Sequence, residues 1–426
     1  MMNPYKKITL SNGLRVITIP VKDAKSVTVL ILVGTGSKYE TKDINGISHF
    51  LEHMFFKGTK NRPNTLKISE TLDRIGGEYN AFTSKEVTGF WAKVDKKHID
   101  VALDWLSDIF LNSKFEEEEI QREKGVIVEE LNMYLDTPTA YVGELFEDLL
   151  YKDQPAGWRI VGEKESILGI NRQKILDYFN SHYSTKNTVV CVSGDITAKQ
   201  VQDKIGKYFK NAEGRKGPQK QSVKEEQSKP EVLLHYKKTD QTHFCLGVRA
   251  YNMFDPRRYA LTLMSVILGG NMSSRLFISV RERNGLAYYV HTSFDDTTDT
   301  GYLVTQAGIK NDSLKKAVSL VLREYADLKN KKITKDELQK AKDYLRGKTA
   351  LSLDATDALA SFYAGQEVMG KEVLTPEQKL KLIDKVTVND IKKVAEDIFT
   401  LENLNLAVIG PVEESKKEEL KKILKL

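Results

Sequence analysis

His49-Phe50-Leu51-Glu52-His53-Met54-Phe55-Phe56-Lys57-Gly58-Thr59 is the stretch from which the rest of the chain can be read. On a helix, residues four apart share a face, so the His49 and His53 imidazoles can reach one metal ion. Glu52 lies one residue before the second histidine and projects near that face, where it can accept a proton from an activated water. Phe50 and Leu51 are expected to point into the core and anchor the helix. The plain alternative is two helical histidines making ordinary hydrogen bonds beside a surface glutamate. The embedded Glu52 weighs against it, as do the flanking residues and the glutamates further along the chain.

Zinc held by only two histidines needs another protein ligand while one position stays open for water. Glu116 to Leu135 reads as a helix with Ile120, Ile127 and Leu131 as its apolar stripe. Glu123 and Glu130 stand two turns apart and flank that stripe, so they can face inward together. Glu117, Glu118 and Glu119 read as a solvated face. Spacing alone leaves Glu123, Glu129 and Glu130 open as the third ligand.

The inverted His-x-x-Glu-His with its flanks, Glu130 further along, and Gly76-Gly77-Glu78-Tyr79-Asn80-Ala81-Phe82-Thr83 together resemble the pitrilysin-type (inverzincin) zinc metallopeptidases. Within that family the chain is most similar to the mitochondrial-processing-peptidase-like branch. The resemblance implies a zinc-dependent endopeptidase acting on peptides or unfolded polypeptide segments, with one Zn²⁺ per chain. It implies His49, His53 and Glu130 as the ligands, Glu52 as general base and Glu123 as a supporting carboxylate. Asn80, Ala81 and Phe82 match the family's substrate-holding edge strand. In the second half, Arg281-Glu282-Arg283-Asn284-Gly285-Leu286-Ala287-Tyr288 is similar to the segment whose Arg and Tyr, here Arg281 and Tyr288, contact the substrate backbone near the metal. A fixed cation and a hydroxyl donor suit a developing oxyanion.

The second half carries no His-x-x-Glu-His between Tyr259 and Val280 and is expected to be metal-less. The family also contains metal-less subunits of larger complexes, so a non-catalytic or scaffold subunit is the rival reading. A hydrolase of non-peptide substrates is a further one. The complete set of His49, Glu52, His53 and Glu130 favours the peptidase. Because longer members join four such domains in one polypeptide, the resemblance implies a homodimer with shared sites, or a heterodimer with a metal-less homologue.

The chain has 426 residues, 40% hydrophobic and 29% charged, an ordinary globular composition of a length suited to two or three domains. Asn211 to Pro230 holds Gly214, Gly217, Pro218 and Pro230 among many Lys, Gln, Glu and Ser, and reads as an exposed linker. It separates residues 1–210, the expected metal-binding domain, from residues 231–426, the metal-less domain with the Arg281 and Tyr288 segment. The halves look duplicated. A shift of about 216 positions lays Ile175 on Ile391, Tyr183 on Phe399, Asn187 on Asn403, Val192 on Val408 and Gly194 on Gly410. Gly89-Phe90-Trp91-Ala92 echoes Gly301-Tyr302-Leu303-Val304 in the same order. Ile8 to Ile19, with a turn at Asn12-Gly13, and Ser26 to Val33 read as β; Lys67 to Ile75 and Ile99 to Leu111 read as helices. The expected fold is α+β: two homologous domains, each an antiparallel sheet with helices packed on one face.

The formal net charge of +6 is spread over 65 basic and 59 acidic residues without a basic run interleaved with aromatics, so no nucleic-acid partner is expected. Cys191 and Cys245 sit among apolar residues and read as core fillers. Gly347-Lys348-Thr349 lacks the earlier glycine of a phosphate loop, because Lys342 stands there. His98, His182, His235, His243 and His291 are isolated and read as structural. Val27 to Val33 is too short to span a bilayer, and no apolar signal core comes after Met1 to Lys7, so a cytoplasmic protein without a membrane partner is expected.

Overall fold

Val27 to Val33 and Val189 to Val192 are almost unbroken apolar runs, a pattern that suits strands covered on both faces. The computed structural model, which describes residues 5–426, buries them in that way. In chain order the first half runs β1 (Lys6–Thr9), β2 (Arg15–Pro20), β3 (Ser26–Val33), α1 (Ile47–Met54), α2 (Thr65–Asp73), β4 (Glu78–Thr83), β5 (Thr88–Asp95), α3 (Ile99–Asn112), α4 (Glu117–Leu135), α5 (Pro138–Tyr151), α6 (Lys164–Gly169), α7 (Arg172–His182), β6 (Thr188–Gly194) and α8 (Ala198–Phe209). The second runs β7 (Glu231–Tyr236), β8 (Thr242–Arg249), α9 (Arg258–Gly269), a π-helical turn (Phe277–Glu282), β9 (Ala287–Asp296), β10 (Gly301–Ile309), α10 (Leu314–Asn330), α11 (Lys335–Ser352), α12 (Thr356–Val368), α13 (Pro376–Asp384), α14 (Val388–Ile398), β11 (Leu404–Gly410) and α15 (Lys417–Ile423). No helix or strand lies between Asn211 and Pro230.

Two sheets form, in the orders β1-β2-β6-β3-β5-β4 and β7-β11-β8-β10-β9. The last five strands of the first repeat, position for position, as the five strands of the second. The glycines aligned by the internal repeat, Gly194 and Gly410, end β6 and β11 with φ of +152° and +157°. A Cβ at either would press on β3 or β8, within 3.0 Å of Val27 or 2.7 Å of Thr242. The sheets are antiparallel except at one pairing each, β2 with β6 and β7 with β11. Those two pairs are joined through long helical excursions rather than hairpins, and such a crossover returns the chain to the same end of the sheet.

By packing, the chain divides into two compact units. One holds the chain as far as Leu131, with Arg159–Gln221 and Thr349–Pro376; the other holds Asn132–Trp158, Ser222–Lys348 and Glu377–Leu426. Each half of the sequence thus contributes a helical segment to the unit built mainly from the other half. In the first unit α12 lies on Ile17, Ile19, Leu30, Leu32, Val189 and Cys191 through Ala360, Tyr363 and Ala364. In the second, α5 covers Cys245, Ala407 and Ile409 with Val142, Leu145 and Phe146. Helices covering only one face of each sheet is therefore corrected to helices on both, with α3 and α8 against the other face of the first sheet and α9, α10 and α14 against that of the second. The physical reason lies in the same apolar runs, which leave neither side of the central strands suited to water.

Candidate metal centre

The first turn of α1 is fixed before any functional residue appears. Gly46 has φ +95°, and a Cβ there would lie 2.5 Å from the Val161 carbonyl oxygen, so glycine alone fits the entry. The buried Glu40 carboxylate accepts the Gly46 N–H at 2.7 Å, the Ser48 N–H at 2.8 Å and Asn45 Nδ2 at 3.0 Å. It satisfies donors that a helix start leaves unpaired and faces the positive end of the helix. Ile47, Phe50, Leu51 and Met54 are fully buried, as the spacing requires, which turns His49, Glu52 and His53 to the opposite side.

Helix α4 lies across that side with Ile120, Ile127 and Leu131 buried beneath it. Glu130 Oε1 is 3.6 Å from His49 Nε2, and its Oε2 is 3.4 Å from His53 Nε2. His53 Nδ1 lies 2.8 Å from Glu123 Oε1, a contact that turns Nε2 toward Glu130. Among the described residues, His49, His53 and Glu130 are the one group of three or more possible ligands, with their ligand atoms all within 4.8 Å of one another. Tetrahedral zinc with bonds of about 2.0–2.1 Å places its ligand atoms about 3.4 Å apart, and each histidine Nε2 lies near that distance from a Glu130 oxygen. The charges agree. Burial works against a proton on His53, but Glu123 and Glu130 outweigh it and push the imidazole up to about 9. His49 and His53 hold the Glu130 carboxyl well below the usual range.

Glu52 sits at the same face. Burial raises its carboxyl above the ordinary value, against the pull of the Thr83 hydroxyl, which donates to Oε2 at 2.5 Å, and of the two imidazoles. Thr83 closes β4, whose one neighbour in the sheet is β5, so among the described residues the other edge of β4 has no strand partner. Along that edge Asn80 and Phe82 are exposed and Ala81 is half-buried. The Phe82 ring occupies the space left by Gly89, where a Cβ would stand 2.5 Å from it.

Arg281 and Tyr288 belong to the second unit. The π-helical turn carries Arg281, whose guanidinium lies 4.8 Å from the centre of the Phe277 ring and 5.5 Å from that of Tyr288. Tyr288, at the start of the edge strand β9, is 75% exposed. Thus the arginine and tyrosine singled out in the sequence stand together.

Comparison with known proteins identifies a family for most of the chain. Residues 15–164, which include His49, Glu52, His53 and Glu130, match insulinase (peptidase family M16), and residues 169–345 match the peptidase M16 inactive domain. A Bacillus subtilis protein named uncharacterized zinc protease YmxG is 36% identical over 95% of this chain and 98% of its own length. The chain belongs to the M16 peptidase family. A Helicobacter pylori protease of known crystal structure has the same fold, with a TM-score of 0.89 at 24% identity over 96% of this chain and 99% of that one. So does a chain in the Candida albicans complex III structure, with a TM-score of 0.85 at 20% identity over 99% and 100%. Among the described residues of this M16 chain, no helix is long and apolar enough to cross a membrane.

For three residues at this centre the sequence reading assigned no such contact, although Thr83 ends the quoted edge segment and Lys57 stands in the opening stretch. Thr83 reaches Glu52 only because β4 ends beside α1, and Glu40 reaches the start of α1 from seven residues before it, so neither had a local signal. Lys57 did, since it continues the four-residue step from His49 and His53. The isolated histidines remain apart from the metal group. Burial lowers His182 to about 4 and also lowers His243 and His291.

Proposed function

We propose that the protein is a zinc-dependent endopeptidase that cleaves peptides or unfolded polypeptide segments. The observation that carries this reading is the spacing of His49 Nε2, His53 Nε2 and the Glu130 carboxylate, with Glu52 on the same face of α1. Zinc held by those three residues supplies Lewis acidity toward a water and the scissile carbonyl. Glu52 acts as general base, taking a proton from the attacking water and returning it to the departing amine nitrogen. Glu123 holds His53 in the tautomer that presents Nε2. An extended peptide adds to the free edge of β4 by main-chain hydrogen bonds, beside Asn80, Ala81 and Phe82, which selects extended shape over sequence. Arg281 and Tyr288 contact the substrate backbone.

On this reading residues 1–210 form the metal-binding peptidase domain, with one zinc per chain, and residues 231–426 the metal-less one. The protein works in the cytoplasm as a homodimer, with Arg281 and Tyr288 of one protomer serving the metal site of the other; a heterodimer with a metal-less homologue is the alternative. A non-catalytic subunit of a larger complex is the rival reading, and the fold shared with the complex III chain is its support. The complete ligand set with Glu52 beside it favours the enzyme. The test is a peptide-library digest with and without a chelator. Cleavage that stops with chelator and returns with added Zn²⁺, alongside about one zinc per chain, is expected. Protein that takes up no zinc and cuts nothing after reconstitution overturns the reading.

A further inference from the structure

The two helices of the metal centre meet as a ladder, and the ladder extends one rung beyond the ligands. His49, His53 and Lys57 succeed one another at steps of four residues. The chain keeps turning past the end of α1, with Phe56 N–H donating to the His53 carbonyl at 3.1 Å and Lys57 N–H to the Met54 carbonyl at 3.2 Å. Lys57 therefore stays on the histidine stripe. Facing it, Glu130 and Glu123 are two turns apart on α4. The contacts run in reverse order along the two segments: His49 to Glu130, His53 to Glu130 and Glu123, and Lys57 Nζ to Glu123 Oε2 at 2.5 Å.

The two residues after Lys57 hold it in place from the other side. Gly58 has φ +136°, and a Cβ there would stand 2.6 Å from the Pro63 carbonyl oxygen. Thr59 Oγ1 donates to the buried Asp108 carboxylate at 2.6 Å. The ammonium is thus delivered from a backbone held on both sides.

Glu123 has only 5% of its side chain exposed, and each of its oxygens is engaged, Oε1 by His53 Nδ1 and Oε2 by Lys57. A carboxylate this buried is costly unless its charge is matched. Ionised Glu52, Glu123 and Glu130 would outweigh a divalent ion by one negative charge, which Lys57 offsets. Without that ammonium, Glu123 is free to turn away from His53 or toward the metal.

We propose that Lys57 is a positioning residue of the metal centre: its ammonium holds Glu123, and through Glu123 it keeps the His53 imidazole oriented with Nε2 toward the ion. This rests on the zinc reading above and adds to it a residue that touches neither metal nor substrate.

The test is zinc affinity of the full chain, measured by competition with a chromogenic chelator, with circular dichroism confirming that each variant is folded. Lys57→Met and Glu123→Gln should each weaken zinc binding by about tenfold to a hundredfold, the range in which partners of metal-ligating histidines act. Lys57→Arg should recover most of the loss. The double variant should bind no more weakly than Glu123→Gln alone, because Lys57 acts through Glu123. Wild-type affinity in folded Lys57→Met overturns the proposal. So does a double variant in which the two losses multiply. Should Lys57→Met fail to fold, Lys57→Gln carries the same expectations. A wild-type chain that binds no zinc overturns the underlying reading before any variant is made.

Discussion

Thr83→Val tests the centre by removing a single hydroxyl. Thr83 ends β4 opposite Thr88, and valine has nearly the same shape with a strong preference for strands, so the edge strand and its register should survive. What disappears is the 2.5 Å hydrogen bond from Oγ1 to Glu52 Oε2. A hydrogen bond to a charged group contributes about 1.5–3 kcal/mol, and about 1.4 kcal/mol corresponds to one pKa unit. The donor favours the ionised carboxylate, so its loss should raise the Glu52 pKa further. Burial already raises this carboxyl, and Thr83 opposes that shift. A general base must be ionised to act. The acid limb of kcat/KM should therefore move to higher pH, so that on its slope the variant falls below wild type by about tenfold to a hundredfold, while the plateau above it changes little. The assay is cleavage of an internally quenched peptide across pH by zinc-loaded wild type and variant, with zinc content measured in parallel. An unmoved acid limb, or an equal loss of rate at every pH, would refute the assignment of Glu52 as a base tuned by Thr83.

Glu52→Gln should keep zinc and fold but lose turnover on the order of a hundredfold or more, whereas Glu130→Gln should weaken zinc retention; metal analysis and kinetics on both variants check this, and the reverse pattern would exchange their roles. If protomers share sites, mixing inactive Glu52→Gln chains with inactive Tyr288→Phe chains should regenerate some activity. No rescue among demonstrably mixed dimers, or a monomer by light scattering that stays fully active on dilution, would count against the shared site.

The candidate metal centre was largely legible in the sequence because helical geometry does most of its assembly. A step of four puts His49 and His53 on one face, and a step of seven does the same for Glu123 and Glu130, whichever way the helices later pack. Spacing could not choose among Glu123, Glu129 and Glu130, because that choice depends on how far α4 is rotated about its own axis, which is set by Ile120, Ile127 and Leu131 packing into the core. Resemblance named Glu130, and in the folded chain it is Glu130 that lies near both Nε2 atoms while Glu123 reaches Nδ1. Thr83 and Glu40 carried no such pattern. Each comes from a segment outside α1, and no period relates either to the histidines.

The duplication was equally visible, since β6 and β11 keep matching apolar residues and a terminal glycine at a constant offset. The helix arrangement was not. The packing of α12 on the first sheet and α5 on the second depends on contacts between residues more than a hundred positions apart, such as Tyr363 and Ala364 with Val189 and Cys191. A sequence states which residues need burial, but several helices are apolar enough to provide it. The sequence by itself determined the helix faces, the repeat and the chemistry available to the metal site; only the tertiary structure decided which distant helix covers which sheet and which carboxylate meets which imidazole nitrogen, because those outcomes turn on shape complementarity between surfaces that no local period encodes.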